Sequence, residues 1–389
     1  MADEKKRSEK ILIIDDNDDF CQFMKLLLET EGYTVITANN GDDGLRLAID
    51  HLPDCVILDY LIPYVSGVEI AKKFKSDQVL RNIPVIFLTA NDSKDALIQG
   101  IDSGADDYVI KTNDFDIINT RIKAMLRMKK LQDANVFYMR MLEQDMLYAG
   151  KLQSAILQHG YTSIPGAKLI EVYKPYSKVS GDYYDVKKLS EDEYAIVMAD
   201  VAGHGVAASM LTIFVKSFFE NNAVDKDGAI SRPDEFLKRL NHLFVSEGFD
   251  DSFFTSIFYA LYNKNTGRLM YAKAGHPAPL VYRTAEREIT PLIAKGMLIG
   301  VVDTATYELG ETSLAAGDTA FIFTDGIFEI FGANDEIFGE ERLSKTFSRE
   351  MESGTPLERI PSVIMNMVKR FSRDDELRDD VTMLLLSRE

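Results

Sequence analysis

The first 120 residues alternate short apolar runs with helical patterns, and this alternation is the strongest constraint on the fold. Five runs have the length and the apolar character of buried strands: 11–14, 33–38, 55–58, 84–88 and 108–110. Between the runs, as at 20–28, apolar residues recur three and four positions apart, which is typical of amphipathic helices. Such alternation predicts a doubly wound α/β domain, with a parallel sheet that helices cover on both faces.

Polar side chains follow four of these runs. Asp15 and Asp16 follow the first run, Asp59 the third, Thr89 the fourth and Lys111 the fifth. We expect them to lie together, because ligands of open parallel sheets bind beyond the carboxyl ends of the strands. Asp15 and Asp16 are suited to a hard divalent ion such as Mg²⁺. Lys111 and the ion would offset the charge on a phosphoryl group that Asp59 attacks, and Thr89 would donate a hydrogen bond to it.

These strand-end residues make the first segment similar to the receiver domain of response regulators. The resemblance implies that Asp59 accepts a phosphoryl group and contributes to the Mg²⁺ site, which the backbone carbonyl of Leu61 completes. It implies that Thr89 and Tyr108 form a switch pair, and that a sensor histidine kinase or a phosphotransfer protein is a partner. Receivers usually have proline after the lysine, where this chain has Thr112. A non-proline cis bond costs roughly 2.5–4 kcal/mol, so we expect a trans bond or a strained loop there.

The stretch that follows has no Pro or Gly between residues 114 and 149 and keeps a helical pattern. Alternating spacings of three and four give the a and d positions of a heptad repeat. These positions are Met125, Met128, Gln132, Asn135, Met139, Leu142, Met146, Ala149, Gln153 and Ile156. We expect a coiled-coil signalling helix over 121–160 that forms a parallel homodimer; an amphipathic helix packed on its own domain is the alternative. Gly150, which is unfavourable inside a helix, is a candidate hinge.

Strand-like runs dominate the rest of the chain. They cover 168–173, 194–199, 256–262, 268–274, 280–283, 319–324 and 381–387, with helical patterns at 207–220, 233–247, 340–350 and 357–371. Grouped strands with a few long helices predict an α+β layered β-sandwich rather than a second parallel sheet. The sequence thus predicts a multidomain protein, with domains at 1–120 and 161–389 and a helical linker over 121–160.

Four acidic motifs adjoin these runs. They are SGDYYD (180–185), ADVAGHG (199–205), TDGIFE (324–329) and RDDVTM (378–383). Four carboxylates that converge without cations are hard to hold unless metal ions neutralise them. Such a cluster suits two-metal hydrolysis of a phosphoryl group, with two ions roughly 3.5–4 Å apart and a shared water. Nucleophilic catalysis is disfavoured, because this segment has no cysteine and no G-x-S-x-G motif.

Together these motifs resemble the metal-dependent protein phosphatase (PPM) family, in particular its bacterial branch of sporulation and stress phosphatases that act in partner switching. The resemblance implies hydrolysis of phosphoserine or phosphothreonine with two Mn²⁺ or Mg²⁺ ions. The implied metal ligands are Asp182, Asp200, the carbonyl of Val201, Asp325 and Asp379, with Asp380 as the alternative to Asp379. His204 is a candidate acid for the leaving group, although orienting the turn is the simpler role. In AGHPAP (274–279), His276 is expected to be structural.

The two resemblances combine into a two-component response regulator in which phosphorylation of Asp59 controls a phosphatase. The implied substrate is a phosphorylated STAS-type anti-sigma-factor antagonist. The alternative is an adaptor that binds a stress sigma factor for regulated proteolysis and uses the phosphatase domain as a scaffold. The retained motif acids argue against that alternative.

Composition limits the partners and the location. A net charge of −18 disfavours binding to nucleic acid or to an anionic membrane, and no basic helix-turn-helix segment follows the first domain. The charged N-terminal segment lacks the apolar core of a signal peptide, and no long apolar run suggests a membrane span. Cys21 and Cys55 show no metal-ligand spacing and fit a reducing compartment. We therefore expect a cytoplasmic protein.

Overall fold

A computed structural model describes residues 8–89, 104–111, 114–157, 163–203, 205–250, 252–373 and 378–389. Two of the predicted positions, Thr112 and His204, lie outside these residues. The chain forms two compact units, Met1–Met141 and Leu142–Glu389. Within the ranges described, no helix combines the length and the apolar character needed to cross a membrane.

The first unit contains a five-stranded parallel sheet in the order β2-β1-β3-β4-β5. Its strands are β1 (Lys10–Ile14), β2 (Thr34–Ala38), β3 (Cys55–Asp59), β4 (Val85–Thr89) and β5 (Asp107–Ile110). The helices that accompany them are α1 (Asp18–Thr30), α2 (Gly41–His51), α3 (Gly67–Ser76) and α4 (Phe115–Ile156). The predicted parallel sheet is confirmed.

Both faces of this sheet are buried, which explains why its inner strands are apolar throughout. Alternate residues of β1 pack on one side against α1 and the start of α4, and on the other side against α2 and α3. The first three helices begin at Asn17, Asn40 and Ser66, whose side chains each accept a hydrogen bond from a backbone N–H three residues on. These polar caps end the strand-to-helix loops of the first unit.

Helix α4 begins in the first unit and ends in the second. Ile118, Ile122 and Leu126 are buried in the core of the first unit. Gly150 is buried in the second unit, where a Cβ atom would lie 1.8 Å from the carbonyl oxygen of Lys178. The helix is continuous at this glycine, so close packing accounts for a residue that the sequence analysis had considered as a hinge.

The second unit contains two five-stranded antiparallel sheets, in the orders β13-β10-β9-β8-β7 and β12-β11-β14-β15-β6. Its first strands are β6 (Ala167–Lys174), β7 (Asp182–Lys188), β8 (Glu193–Val201), β9 (Thr255–Asn263) and β10 (Arg268–Ala274). The later ones are β11 (Leu280–Arg283), β12 (Glu288–Pro291), β13 (Gly310–Ser313), β14 (Thr319–Phe323) and β15 (Val381–Arg388). The helices are α5 (Val206–Asn222), α6 (Pro233–Ser246), α7 (Gly339–Glu352) and α8 (Ile360–Phe371).

The two sheets face each other across a shared apolar core. Ile196 and Phe258 of one sheet and Ile322 and Leu384 of the other belong to this core. Helices α5 and α6 cover the outer face of the first sheet, and α7 and α8 cover the outer face of the second. The result is the predicted layered sandwich, in which strand ends from both sheets meet at one edge.

Candidate functional site

In the first unit, the ends of β1 and β3 bring three carboxylates together. Asp15 and Asp59 are buried and Asp16 is exposed. One oxygen from each lies within 4.8 Å of the other two. In the part of the chain that the structure describes, no other group of three His, Cys, Asp or Glu side chains meets this distance. Three oxygen ligands at this spacing fit one hard cation such as Mg²⁺.

Lys111, which directly follows β5, provides a positive charge at this cluster. Its Nζ atom lies 2.6 Å from Oδ2 of Asp15 and 2.8 Å from Oδ2 of Asp59. Burial raises the pKa of Asp59, an effect that the Lys111 hydrogen bond opposes and the charge of Asp15 reinforces. Burial would lower the pKa of Lys111, but its contacts with the two acids outweigh this and raise it. The lysine is therefore an ammonium ion that bridges two carboxylates.

The other predicted residues of this unit lie on neighbouring strands and loops. The backbone N–H of Leu61 donates to Oδ1 of Asp59 over 3.3 Å. Thr89 ends β4 and is buried, whereas Tyr108 in β5 is exposed. In the β3–β4 register, Asp59 is paired with Leu88, the residue before Thr89. The functional roles of these residues stay predictions.

In the second unit, a cleft of about 620 Å³ opens at the edge of the sandwich. Three predicted acids line it from separate elements: Asp200 near the end of β8, Asp325 in the turn after β14, and Asp379 before β15. Val201 and Glu329 line it as well. Carboxylate and carbonyl oxygens are the ligands that hard divalent cations prefer, so this donor set fits Mg²⁺ or Mn²⁺.

Asp380, the neighbour of Asp379, has a different environment. Its Oδ1 atom accepts the backbone N–H of Tyr176 over 2.7 Å, and its Oδ2 atom accepts that of Gly181, also over 2.7 Å. Both oxygens therefore hold backbone segments, while Asp379 is the member of the pair that lines the cleft. The sequence alone leaves this choice between the two neighbouring aspartates open.

Asp182 is buried behind the cleft and is not among the residues that line it. Its Oδ2 atom accepts the hydroxyl of Thr324 over 2.8 Å and the hydroxyl of Thr382 over 2.5 Å. In the register between β7 and β8, Asp182 is paired with Asp200. The structure thus brings Asp182 close to the cleft acids but engages its carboxylate with two threonines.

The electrostatics of the cleft are dominated by burial and by like charges. Burial raises the pKa of Asp200, and the charges of neighbouring carboxylates raise it further, that of Asp182 most. The pKa of Asp325 is raised to about 6, first by burial and then by Glu329 and Asp379. Because each of these ionised acids makes the others harder to ionise, a bound cation would lower the free energy of the folded state.

Lys273 and His276 supply the nitrogen groups of the cleft wall. The Nζ atom of Lys273 donates to the backbone carbonyl of His276 over 2.7 Å, and burial lowers the pKa of this lysine. Nδ1 of His276 lies 2.9 Å from the carbonyl oxygen of Pro277, to which it donates. Burial lowers the pKa of His276 to about 4, so the ring is neutral at pH 7. In this tautomer Nε2 is an acceptor, and it has no partner among the described residues.

Several polar residues of the second unit have contacts that their sequence motifs did not predict. Thr324 and Thr382 belong to quoted motifs but received no role. Gln153, expected at the coiled-coil seam, is buried in the second unit instead. Its side-chain amide donates to the carbonyl of Ser180 over 2.7 Å and to the hydroxyl of Thr212 over 2.9 Å. The heptad spacing alone does not distinguish a glutamine buried in the second unit from a polar residue at a coiled-coil seam.

Comparison with known families assigns both units. The family model described as Stage II sporulation protein E (SpoIIE) matches residues 190–389, and the one described as Response regulator receiver domain matches 11–123. The response regulator ArlR of Staphylococcus aureus is 31% identical over 210 residues, which cover 47% of this chain and 94% of ArlR. The predicted receiver and PPM-type phosphatase domains are confirmed.

Two solved structures are similar to the larger part of the chain. The SiaA-PP2C domain of Pseudomonas aeruginosa has a TM-score of 0.54 at 20% identity, over 65% of this chain and 99% of that one. The RsbU and RsbW domains of Rv1364c from Mycobacterium tuberculosis have a TM-score of 0.48 at 22% identity, over 58% of this chain and 61% of that one. The likeness to the SiaA domain shows a common fold.

Proposed function

Because the chain belongs to the Stage II sporulation protein E family and joins a phosphatase domain to a receiver domain, we propose that it is a metal-dependent protein serine/threonine phosphatase under the control of Asp59 phosphorylation. The proposed domains are a receiver at 1–120, a linker at 121–160 and a phosphatase at 161–389. The proposed substrate is a phosphorylated STAS-type anti-sigma-factor antagonist.

One observation carries the proposal: three carboxylates from separate elements line one cleft, and their mutual repulsion calls for a cation. We assign Asp200, Asp325, Asp379 and the carbonyl of Val201 to two Mn²⁺ or Mg²⁺ ions. Asp182 and Asp380, the other predicted ligands, lie deeper and hold threonine hydroxyls and backbone N–H groups. Bound ions of this kind supply an activated water and orient the phosphoryl oxygens.

The cleft itself supplies shape and local charge. Leu298, Phe254 and Phe328 contribute apolar wall, which suits the side chain and backbone that flank a phosphoserine or phosphothreonine. Neutral His276 adds no positive charge to the site, and Lys273 is held in place by its bond to a carbonyl. The negative charge of the cleft acids is therefore balanced by added cations more than by the side chains of the cleft wall.

In the receiver, Asp59 is the proposed phosphoacceptor. Asp15, Asp16 and Asp59 hold Mg²⁺ together with the carbonyl of Leu61, while Lys111 offsets charge on the incoming phosphoryl group. Thr89 and Tyr108 form the switch pair. The phosphoryl donor is a histidine kinase or a phosphotransfer protein.

The proposed homodimer is a coiled coil through the middle of α4. Met139 and Leu142, two of the predicted seam residues, are exposed in the single chain, as a dimer seam requires. Gln153 lies outside this seam, because it is buried within the second unit. The seam is therefore proposed for the exposed middle of the helix alone.

The test is Mn²⁺-dependent hydrolysis of an aryl phosphate and of a phosphorylated STAS protein by the full chain. Asp200→Ala should lose turnover by a factor on the order of 10²–10³, the usual cost of one strong electrostatic contact in a transition state. Asp185→Ala is the matched control, since its carboxylate accepts from Tyr183 and Val186 on the same strand and does not line the cleft.

Beryllofluoride, which mimics the phosphoryl group on Asp59, tests the control by the receiver. We expect it to change turnover in the wild type and to have no effect in Asp59→Asn. Equal turnover with and without beryllofluoride would show that the receiver does not regulate turnover, but would leave the proposed phosphatase activity unaffected. No Mn²⁺-dependent turnover on either substrate would favour the sigma-factor adaptor instead.

A further inference from the structure

Two threonines of one sheet hold a carboxylate of the other sheet directly behind the acid-lined cleft. Asp182 is the first residue of β7, Thr382 lies in β15 and Thr324 follows β14. Both hydroxyls donate to the same carboxylate oxygen, over 2.8 Å from Thr324 and 2.5 Å from Thr382. We call these three residues the threonine clamp. It joins the two sheets of the sandwich at the edge where the cleft opens.

The three residues of the clamp are buried. Their hydrogen bonds run from the backbone of Thr382 to the Thr324 hydroxyl and from that hydroxyl to the carboxylate of Asp182. All three residues are at most 1% exposed. The Thr324 hydroxyl, which donates to Asp182, accepts the backbone N–H of Thr382 over 3.0 Å. The backbone N–H of Asp182 donates to the hydroxyl of Ser180 over 3.1 Å. Removing one hydroxyl leaves Oδ2 of the buried Asp182 with one of its two hydroxyl donors, so part of its hydrogen bonding is lost.

Each member of the clamp is tied to one acid of the cleft. Asp182 is paired with Asp200 in the register between β7 and β8. Thr324 immediately precedes Asp325, and Thr382, the second residue of β15, lies shortly after Asp379. The clamp therefore connects the backbone that carries one cleft acid to the backbones that carry the other two.

We propose that the threonine clamp is a positioning device, which fixes the spacing of the three cleft acids across the two sheets and so sets the affinity of the cleft for divalent cations. The inference rests on the proposed metal-dependent function. It gives Asp182 a role through the threonines rather than through a substrate. A carboxylate is suited to this role because one of its oxygens can accept both threonine hydroxyls at once.

The first experiment measures Mn²⁺ binding by calorimetry to the full chain after metal removal. Thr382→Val replaces the hydroxyl with a methyl group of nearly the same volume, and we expect a 10–100-fold loss of affinity, as for other residues that orient metal ligands. Thr382→Ser restores the hydroxyl and should recover most of the affinity. The same variants should lose and regain turnover in parallel with Mn²⁺ affinity.

Thr319→Val is the matched control. Thr319 is also fully buried on the β14–β15 pair, and its hydroxyl donates to that of Ser387 over 3.0 Å, away from Asp182. We expect a similar change in thermal unfolding measured in EDTA, with Mn²⁺ affinity unchanged. If Thr382→Val does not fold, Thr324→Val is compared with the same control.

The outcomes separate the two proposals. A wild type that binds Mn²⁺, together with Thr382→Val and Thr324→Val that bind it as tightly as Thr319→Val, would overturn the clamp and leave the phosphatase in place. A wild type that neither binds Mn²⁺ nor hydrolyses either substrate would overturn the proposed function, and the clamp with it.

Discussion

The two acidic sites of this chain balance their charge in different ways. In the receiver, the Nζ atom of Lys111 lies within 2.8 Å of both Asp15 and Asp59. In the phosphatase cleft, the charges that act most strongly on Asp200 are those of other carboxylates. Lys273, on the wall of that cleft, donates to a backbone carbonyl instead.

The difference concerns what each site requires in the absence of metal. Carboxylates that share a site raise one another's pKa unless an opposite charge is close. The receiver carries such a charge within its own fold, whereas the acids of the phosphatase cleft would gain it from the cations proposed to bind there. We therefore expect divalent cations to stabilise the second unit more than the first, and the following variants test this contrast.

Removing the internal cation of the receiver should have the largest effect. Lys111→Met leaves two buried carboxylates without their partner, so we expect a loss of about 3 kcal/mol in the free energy of unfolding in EDTA. Adding Mg²⁺ should raise the free energy of unfolding of this variant by more than it raises that of the wild type. Thermal unfolding of the first unit measures both.

Lys75→Met is the control for this variant. The Nζ atom of Lys75 lies 2.7 Å from Asp106 in the same unit, with an exposure close to that of Lys111. It should lower stability without any change in the response to Mg²⁺. Equal Mg²⁺ responses in the two variants would contradict the role given to Lys111.

Removing a charge from the cleft should increase stability, whereas removing Lys111 from the receiver should decrease it. Asp200→Asn relieves repulsion among buried acids, so in EDTA we expect the second unit to gain about 2 kcal/mol, the scale of one unsatisfied buried group. This corresponds to about 4–8 °C in the midpoint of thermal unfolding. With saturating Mn²⁺ the order should reverse, because the variant lacks a ligand. A lower midpoint than wild type in EDTA would show that the cleft already holds its counter-charge.

The fold was predictable wherever one apolar pattern determined one element. The inner strands of the receiver are buried on both faces, so they appear as continuous apolar runs, and strand β11 has the predicted bounds, 280–283. Strands β12 and β13 were missed, because each is a four-residue edge strand with no fully buried position and therefore no apolar run. Strand β7 was missed because its sequence, DYYDVKK, is largely polar.

The sites were predictable to the level of motifs but not of individual side chains. Strand-end position brought Asp15, Asp59 and Lys111 together, since the carboxyl ends of parallel strands share one edge. The choice between Asp379 and Asp380 depends on which carboxylate meets the N–H groups of Tyr176 and Gly181. That contact joins residues about two hundred positions apart and follows from the packing of two sheets, which sequence spacing does not encode.

The last prediction concerns whether His276 could serve as a counter-charge in the cleft. Its pKa is lowered to about 4 by burial, from an ordinary value of 6.5. Between these two values the unfolded chain binds the proton and the folded chain does not, so this group makes stability fall as the pH falls from 6.5 to 4, by at most about 1.4 kcal/mol per pH unit. His276→Gln should remove this contribution and give a shallower stability curve in that range, as measured by denaturant unfolding at a series of pH values in EDTA. Parallel curves would mean that His276 binds its proton equally well in the folded and unfolded chains. The cleft would then gain an internal cation as the pH falls below 6.5.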